Sequence, residues 1–254
     1  KAPGLVVSLR RIPGLDRIEV KKGFIEIGPL VTMTGLIESG AVGEHLPVLS
    51  DGAQAVAAPL VRNRATVGGN LCNARPCADT APPLMALGAS VVLASAGGHR
   101  EVPLDTMITG PGKTILKPDE LLTIIRVPRP ARHTGGCYEK MIRRQTLDVT
   151  IAGVAVQVAL DKPGGTVTAA RIFATSVAPV PLRLRDTEKC VTGNELTEEV
   201  LAAVADTAAQ EVTPIDDLRG AAWYRRHASG VLARRALARA AGRAGDKNAR
   251  EDQS

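Results

Sequence analysis

The chain has 254 residues, a formal charge of +6 and an apolar fraction of 44%, enough to bury a sizeable core in one large or two modest domains, which sets disorder aside. Aromatics make up only 2%, so the core must come from Val, Leu, Ile and Ala; without stacking aromatics or a reading element, the basic excess does not make a nucleic-acid binder. No apolar run reaches membrane-span length, and the cysteines Cys72, Cys77, Cys137 and Cys190 form neither a disulfide framework nor metal-ligand spacing, which points to small buried thiols in a reducing cytosol.

The chain opens on "KAPGLVVSL", with neither signal peptide nor initiator Met, which implies that an upstream segment is missing. Residues 5–9 are a short apolar run that reads as a strand, ended by a Pro13-Gly14 turn. "IEVKKGFIEIGP" alternates about Lys21-Lys22-Gly23 as a hairpin. "TMTGLIES" carries a Thr cap and helical spacing, and residues 45–63 read as a second helix. After Gly68-Gly69, Asp79 or Thr80 can cap a helix whose first turn tolerates Pro82 and Pro83, because those positions have no partner for an N–H. "SVVLAS" is a strand, "GGHREVPL" a hairpin turn and residues 121–127 another strand.

The polar, breaker-rich residues 129–136 mark a domain boundary. Beyond it "CYEKMI", "IAGVAVQVALD" and "TVTAARIFATSVAP" are strands, the last two an antiparallel pair joined at "KPGG". "LTEEVLAAVADTAAQEV" has apolar residues at four-residue spacing behind acidic Glu198 and Glu199. A final helix over residues 220–241 shows Tyr224, Ala228, Val231 and Leu232 on one side and arginines elsewhere. The tail, residues 243–254, is polar and expected to be disordered. Strands interleaved with helices make an α+β or α/β protein.

The chemistry concentrates in Thr66-Val67-Gly68-Gly69-Asn70. Glycines let a ligand approach the peptide plane and let successive N–H groups converge on an anion, so a phosphate cradle is one reading; a tight turn with positive φ is the other. The spacing matches neither the nicotinamide-dinucleotide fingerprint nor the P-loop. Asn70 and Asn73 add side-chain hydrogen bonders, and Asp79 suits either a ribose hydroxyl or a helix cap. His45, His99, His133 and His227 lack metal-ligand arrangement and read as loop or surface residues.

"TVGGNLCNARPCADTAPPLMALGA" resembles the second flavin-binding segment of the FAD-binding subunit of the molybdenum hydroxylases, the family of xanthine dehydrogenases and aerobic carbon monoxide dehydrogenases. "LVVSLRRIPGLDRIEV", "PDELLTIIRVP", "YEKMIRRQTLDVTIAGVAV" and "PIDDLRGAAWYRRHASGVLARRAL" extend the similarity over nearly the whole chain. It implies an FAD-binding domain of the vanillyl-alcohol oxidase and MurB type over residues 1–130 and a smaller α/β flavoprotein domain over residues 137–242, α+β overall. Residue by residue, Thr66, Val67, Gly68, Gly69 and Asn70 match the loop around the FAD pyrophosphate, Asp79 an acidic cofactor contact and Leu122 an apolar neighbour of the cofactor. Lys140, otherwise a solvated strand lysine, matches a lysine near the flavin that could stabilise charge at N1–C2=O.

An earlier glycine-rich turn resembling A-G-G-T-D, the family's other half of the cradle, is absent, as in a fragment. The resemblance further implies a large molybdopterin-binding subunit and a small subunit with two [2Fe–2S] clusters as partners, electrons passing through FAD to NAD or another acceptor, and substrate hydroxylation elsewhere than on this chain. A flavin-free structural or assembly subunit is the alternative.

Overall fold

A computed structural model describes residues 3–144 and 147–251, for residues 246–251 the backbone alone. The hairpin of β1 (Ile18–Lys21) and β2 (Phe24–Ile27) turns at Gly23, whose φ of +89° suits a residue without Cβ. Six helices follow: α1 (Met33–Glu38), α2 (Gly40–His45), α3 (Pro47–Ala55), α4 (Pro59–Arg62), α5 (Val67–Asn73) and α6 (Ala81–Ala86). Next come β3 (Ser90–Ser95), β4 (Gly98–Pro103), α7 (Leu104–Met107), the small hairpin of β5 (Ile108–Gly110) and β6 (Lys113–Thr114), and β7 (Leu121–Pro128). The larger strands form one antiparallel sheet in the order β1-β2-β7-β3-β4.

Across residues 129–133 the chain enters β8 (Thr134–Met141), β9 (Ala152–Leu160), β10 (Val167–Thr175) and the short β11 (Leu182–Arg183), an antiparallel sheet in the order β11-β10-β9-β8. Helices α8 (Arg185–Val191), α9 (Glu198–Glu211) and α10 (Ala222–Glu251) complete it. Alternation along these strands sends side chains to two different cores. Cys137, Val154, Val156, Ile172 and Ala174 face the C-terminal helices, whereas Tyr138, Ala155 and Phe173 join the core of the N-terminal half. Lys140, two residues beyond Tyr138, lies on that second face.

Four features differ from the sequence reading. Residues 5–9 are not a strand: no described strand pairs with them, and Leu5, Val6 and Val7 are exposed. Residues 45–63 are not one helix, because Pro47 and Pro59 each start a new one and Ala57 takes a left-handed φ of +39° between them. Helix α8 was not anticipated. The last helix passes residue 241 and runs to Glu251, so most of the tail is helical; residues 252–254 lie outside the described residues. Ala244 there is fully buried, and Gly135 of β8 explains why: a Cβ on it would stand 1.9 Å from the Ala240 carbonyl oxygen and 2.6 Å from the Ala244 nitrogen.

Candidate functional site

The Gly-Gly segment is the first turn of helix α5. Thr66 caps it, its hydroxyl accepting from Gly69 N at 3.1 Å, and Thr32 caps α1 by accepting from Gly35 N at 3.0 Å. The chain entering α1 lies antiparallel to the chain entering α5, with Met33 N donating to Ala65 O at 3.0 Å and Val67 N to Val31 O at 2.9 Å. Two helix starts and their threonines are thereby set side by side.

This geometry corrects the tight-turn reading of the glycines. Neither Gly68 nor Gly69 has a positive φ. Nor are the amides free for an anion: besides Val67 N, Gly68 N donates to Pro29 O at 2.9 Å, Gly69 N to the Thr66 hydroxyl, and Asn70 N to Thr66 O at 2.9 Å. The glycines serve close approach instead. A Cβ on Gly68 would sit 2.4 Å from Pro29 Cβ, and one on exposed Gly69 would come within 2.9 Å of the Thr66 hydroxyl oxygen.

Between the two caps opens a cleft of about 610 Å³, lined by Arg10, Asp16, Thr32, Asn63, Arg64 and Thr66 among others, a volume in the range of small-molecule and cofactor sites. Each capping hydroxyl accepts from an amide and keeps its own proton to donate. Asn63 Oδ1 accepts from Thr34 at 2.6 Å, which leaves its amide N–H groups for a ligand. With two guanidinium groups against the one carboxylate of Asp16, the cleft is donor-rich and net positive, which suits a diphosphate. The residues present therefore fit a dinucleotide, through side chains and not through an amide nest.

A second cluster is closed. Asp79, 7% exposed, accepts at Oδ1 from the Tyr138 hydroxyl and the Thr150 hydroxyl, each at 2.7 Å, and at Oδ2 from Lys140 Nζ at 3.1 Å. Lys140 Nζ also donates to the Ala55 carbonyl at the end of α3. Burial pushes the Asp79 carboxyl up, and the Lys140 charge and the Thr150 and Tyr138 hydroxyls pull it back. Burial, then the neighbouring Asp79 charge, raises the Tyr138 phenol well above its ordinary value.

Helix α3 can approach because Gly52 has no side chain: a Cβ there would lie 2.6 Å from Asp79 O. One residue earlier, Asp51 accepts from Tyr138 N at 3.1 Å and from the Arg243 guanidinium at 2.6 and 3.1 Å. The two halves are thus fastened to one another around the network.

Asp79 is therefore not the cap of α6; Thr80 occupies that position, without a side-chain capping bond. Of the remaining sequence candidates, Val67, Gly68 and Leu122 are buried in the N-terminal half, Leu122 on β7 opposite Leu93. Asn70 Oδ1 accepts from the hydroxyl of Thr80, the residue after Asp79, at 2.5 Å.

Arg10, Thr32, Asn63 and Arg64 of the cleft and Tyr138, Thr150 and Asp51 around Asp79 were not among the residues singled out from the sequence. A signal existed for Tyr138, which shares a strand face with Lys140. The expected buried thiols are corrected too: Cys137 is buried, but Cys72 is exposed and Cys77 and Cys190 are half-buried. Among the described residues no group of His, Cys, Asp and Glu could hold a metal ion, and no helix is long and apolar enough to cross a membrane.

Two family profiles match the chain: "FAD binding domain in molybdopterin dehydrogenase" over residues 1–130 and "CO dehydrogenase flavoprotein C-terminal domain" over residues 137–240. The carbon monoxide dehydrogenase medium chain of Hydrogenophaga pseudoflava is 37% identical over 92% of this chain and 81% of its own length. The xanthine dehydrogenase FAD-binding subunit of Escherichia coli O157:H7 is 33% identical over 95% of this chain and 83% of its own. A solved structure of the Hydrogenophaga pseudoflava carbon monoxide dehydrogenase lacking the Mo-pyranopterin moiety superposes with a TM-score of 0.88, at 37% identity over 92% of this chain and 81% of the other.

Proposed function

Since the chain belongs to the FAD-binding medium subunits of the molybdenum hydroxylases, we propose that it binds FAD with the diphosphate in the cleft between Thr32 and Thr66 and the flavin toward Lys140. It is an oxidoreductase subunit of a multi-subunit complex. The observation that carries the reading is the pairing of two threonine-capped helix starts across a cleft that also holds Arg10 and Arg64. When bound, FAD supplies a two-electron store between [2Fe–2S] clusters on a small partner and an acceptor such as NAD, while hydroxylation takes place at the molybdopterin of a large partner.

The residues of this chain hold and tune; none breaks a substrate bond. Thr32, Thr66 and Asn63 donate hydrogen bonds to phosphate oxygens, and Arg64 and Arg10 neutralise their charge. Gly69, exposed beside the Thr66 hydroxyl, leaves that donor uncovered by a side chain. Asn70, Asp79, Leu122 and Lys140 would hold the rest of the cofactor, and the Lys140 ammonium would favour the electron-rich reduced flavin. The unpaired thiols support a reducing compartment, the cytoplasm.

The test is the cofactor content of the purified complex. Acid release should yield FAD in a 1:1 ratio to this chain, with the flavin absorption lost on release. A colourless chain that still assembles with its partners would mark it as a structural subunit and end this reading.

A further inference from the structure

We propose that Tyr138 and Thr150 are positioning residues that keep the Asp79 carboxylate as the counterion of Lys140, and so set the net charge beside the flavin. This rests on the reading that the flavin lies toward Lys140.

The geometry divides the carboxylate between two tasks. Both hydroxyls donate to Oδ1 at 2.7 Å, and Lys140 alone takes Oδ2 at 3.1 Å. The pair is shielded, with 10% of each side chain exposed, so its charges are weakly screened by water. Tyr138 comes from β8 and Thr150 from just before β9; two separate segments converge on one oxygen. The Tyr138 amide is anchored in turn on Asp51. A buried carboxylate with three donors is a satisfied anion, and each hydroxyl taken from it raises the pressure to take a proton. The other ionisable group beside Asp79 is Cys77, whose thiol is itself raised by burial and by the Asp79 charge.

The direction of the effect follows. With Asp79 ionised, the carboxylate and the ammonium nearly cancel at the flavin. If a hydroxyl is removed and Asp79 takes up a proton from solvent, the Lys140 charge stands uncompensated, the electron-rich reduced ring is favoured, and the midpoint potential rises.

The experiment measures the flavin midpoint potential at neutral pH in the assembled complex carrying Thr150→Val, Tyr138→Phe, Thr150→Ser or Lys140→Met. Thr150→Val should favour the reduced form about tenfold, which is about 30 mV for a two-electron couple. Tyr138→Phe should move the potential the same way, and Thr150→Ser should restore the wild-type value. FAD content should stay stoichiometric in Thr150→Val and Thr150→Ser. A potential unchanged or lowered in Thr150→Val, with FAD retained, overturns the inference and leaves the binding reading intact. Absence of FAD from the wild-type complex, or a potential indifferent to Lys140→Met, defeats the underlying reading and the inference with it. Should Tyr138→Phe fail to fold, the nearly isosteric Thr150→Val and its serine rescue decide the matter.

Discussion

The cleft and the Asp79 network solve opposite problems. The cleft is open: Arg10, Asn63 and Arg64 are exposed and line about 610 Å³ of space that a ligand can fill. The network is shut from bulk water: Asp79 accepts from Tyr138, Thr150 and Lys140, and Lys140 also donates to the Ala55 carbonyl, which leaves one ammonium N–H beyond the network, at the seam between the two halves. An open donor set is worth little to the fold and much to an anionic ligand, whereas a closed ionic set is expensive to break because whatever remains is buried without a partner. Mutations in the first region should therefore read out as affinity, and those that remove one partner of the Asp79–Lys140 pair as stability.

Asp79→Ala should have the largest effect. It strands the Lys140 ammonium and two hydroxyls, a loss of about 3–5 kcal/mol for a buried pair broken on one side, measured as a lower urea midpoint with unchanged slope. An effect below about 1 kcal/mol would show the network to be as solvated as the cleft.

Gly68→Val probes the packing of the start of α5 against Pro29. Its side chain would drive into Pro29 and spread the antiparallel entry of α1 and α5, costing about 1–3 kcal/mol of overpacking together with loss of FAD. Equilibrium unfolding and flavin content measured on the same sample separate the two effects. Retained FAD would mean that the cleft does not depend on this close approach.

Arg64→Ala belongs to the open region alone. Loss of one charge-assisted contact should weaken FAD binding about tenfold or more and leave the unfolding midpoint in place. Titration at rising ionic strength should narrow the gap between wild type and variant, because the arginine is exposed. The smallest effect contrasts two thiols. Burial holds Cys137 up at about 12, so its reactive thiolate is absent until the pH approaches that value. At pH 8 an alkylating reagent followed by mass spectrometry should mark exposed Cys72 and spare Cys137.

The pattern of what was legible in the sequence follows the same division. Strands β3, β7, β9 and β10 and helices α1 and α9 were readable because alternation, Thr caps and helical spacing are local signals. The glycine segment was readable as important, yet its mechanism was not. Two of its amides, Val67 N and Gly68 N, are taken by the distant Val31 and Pro29 carbonyls, which no local pattern announces, while Gly69 N and Asn70 N are taken by nearby Thr66.

Asp79 reads locally as a cap, and only tertiary packing turns it into a buried anion. Thr150 carried no sign at all, since it reaches Asp79 from a segment 71 residues away. The run at residues 5–9 looked like a strand because apolar content is local, whereas a strand also needs a neighbour for its ladder.

The central claim is most directly tested by a crystal structure of the complex with FAD bound. The diphosphate oxygens should lie within hydrogen-bond reach of the Thr32 and Thr66 hydroxyls, beside the Arg64 guanidinium. A diphosphate seated elsewhere, with those two hydroxyls facing solvent, would contradict the account.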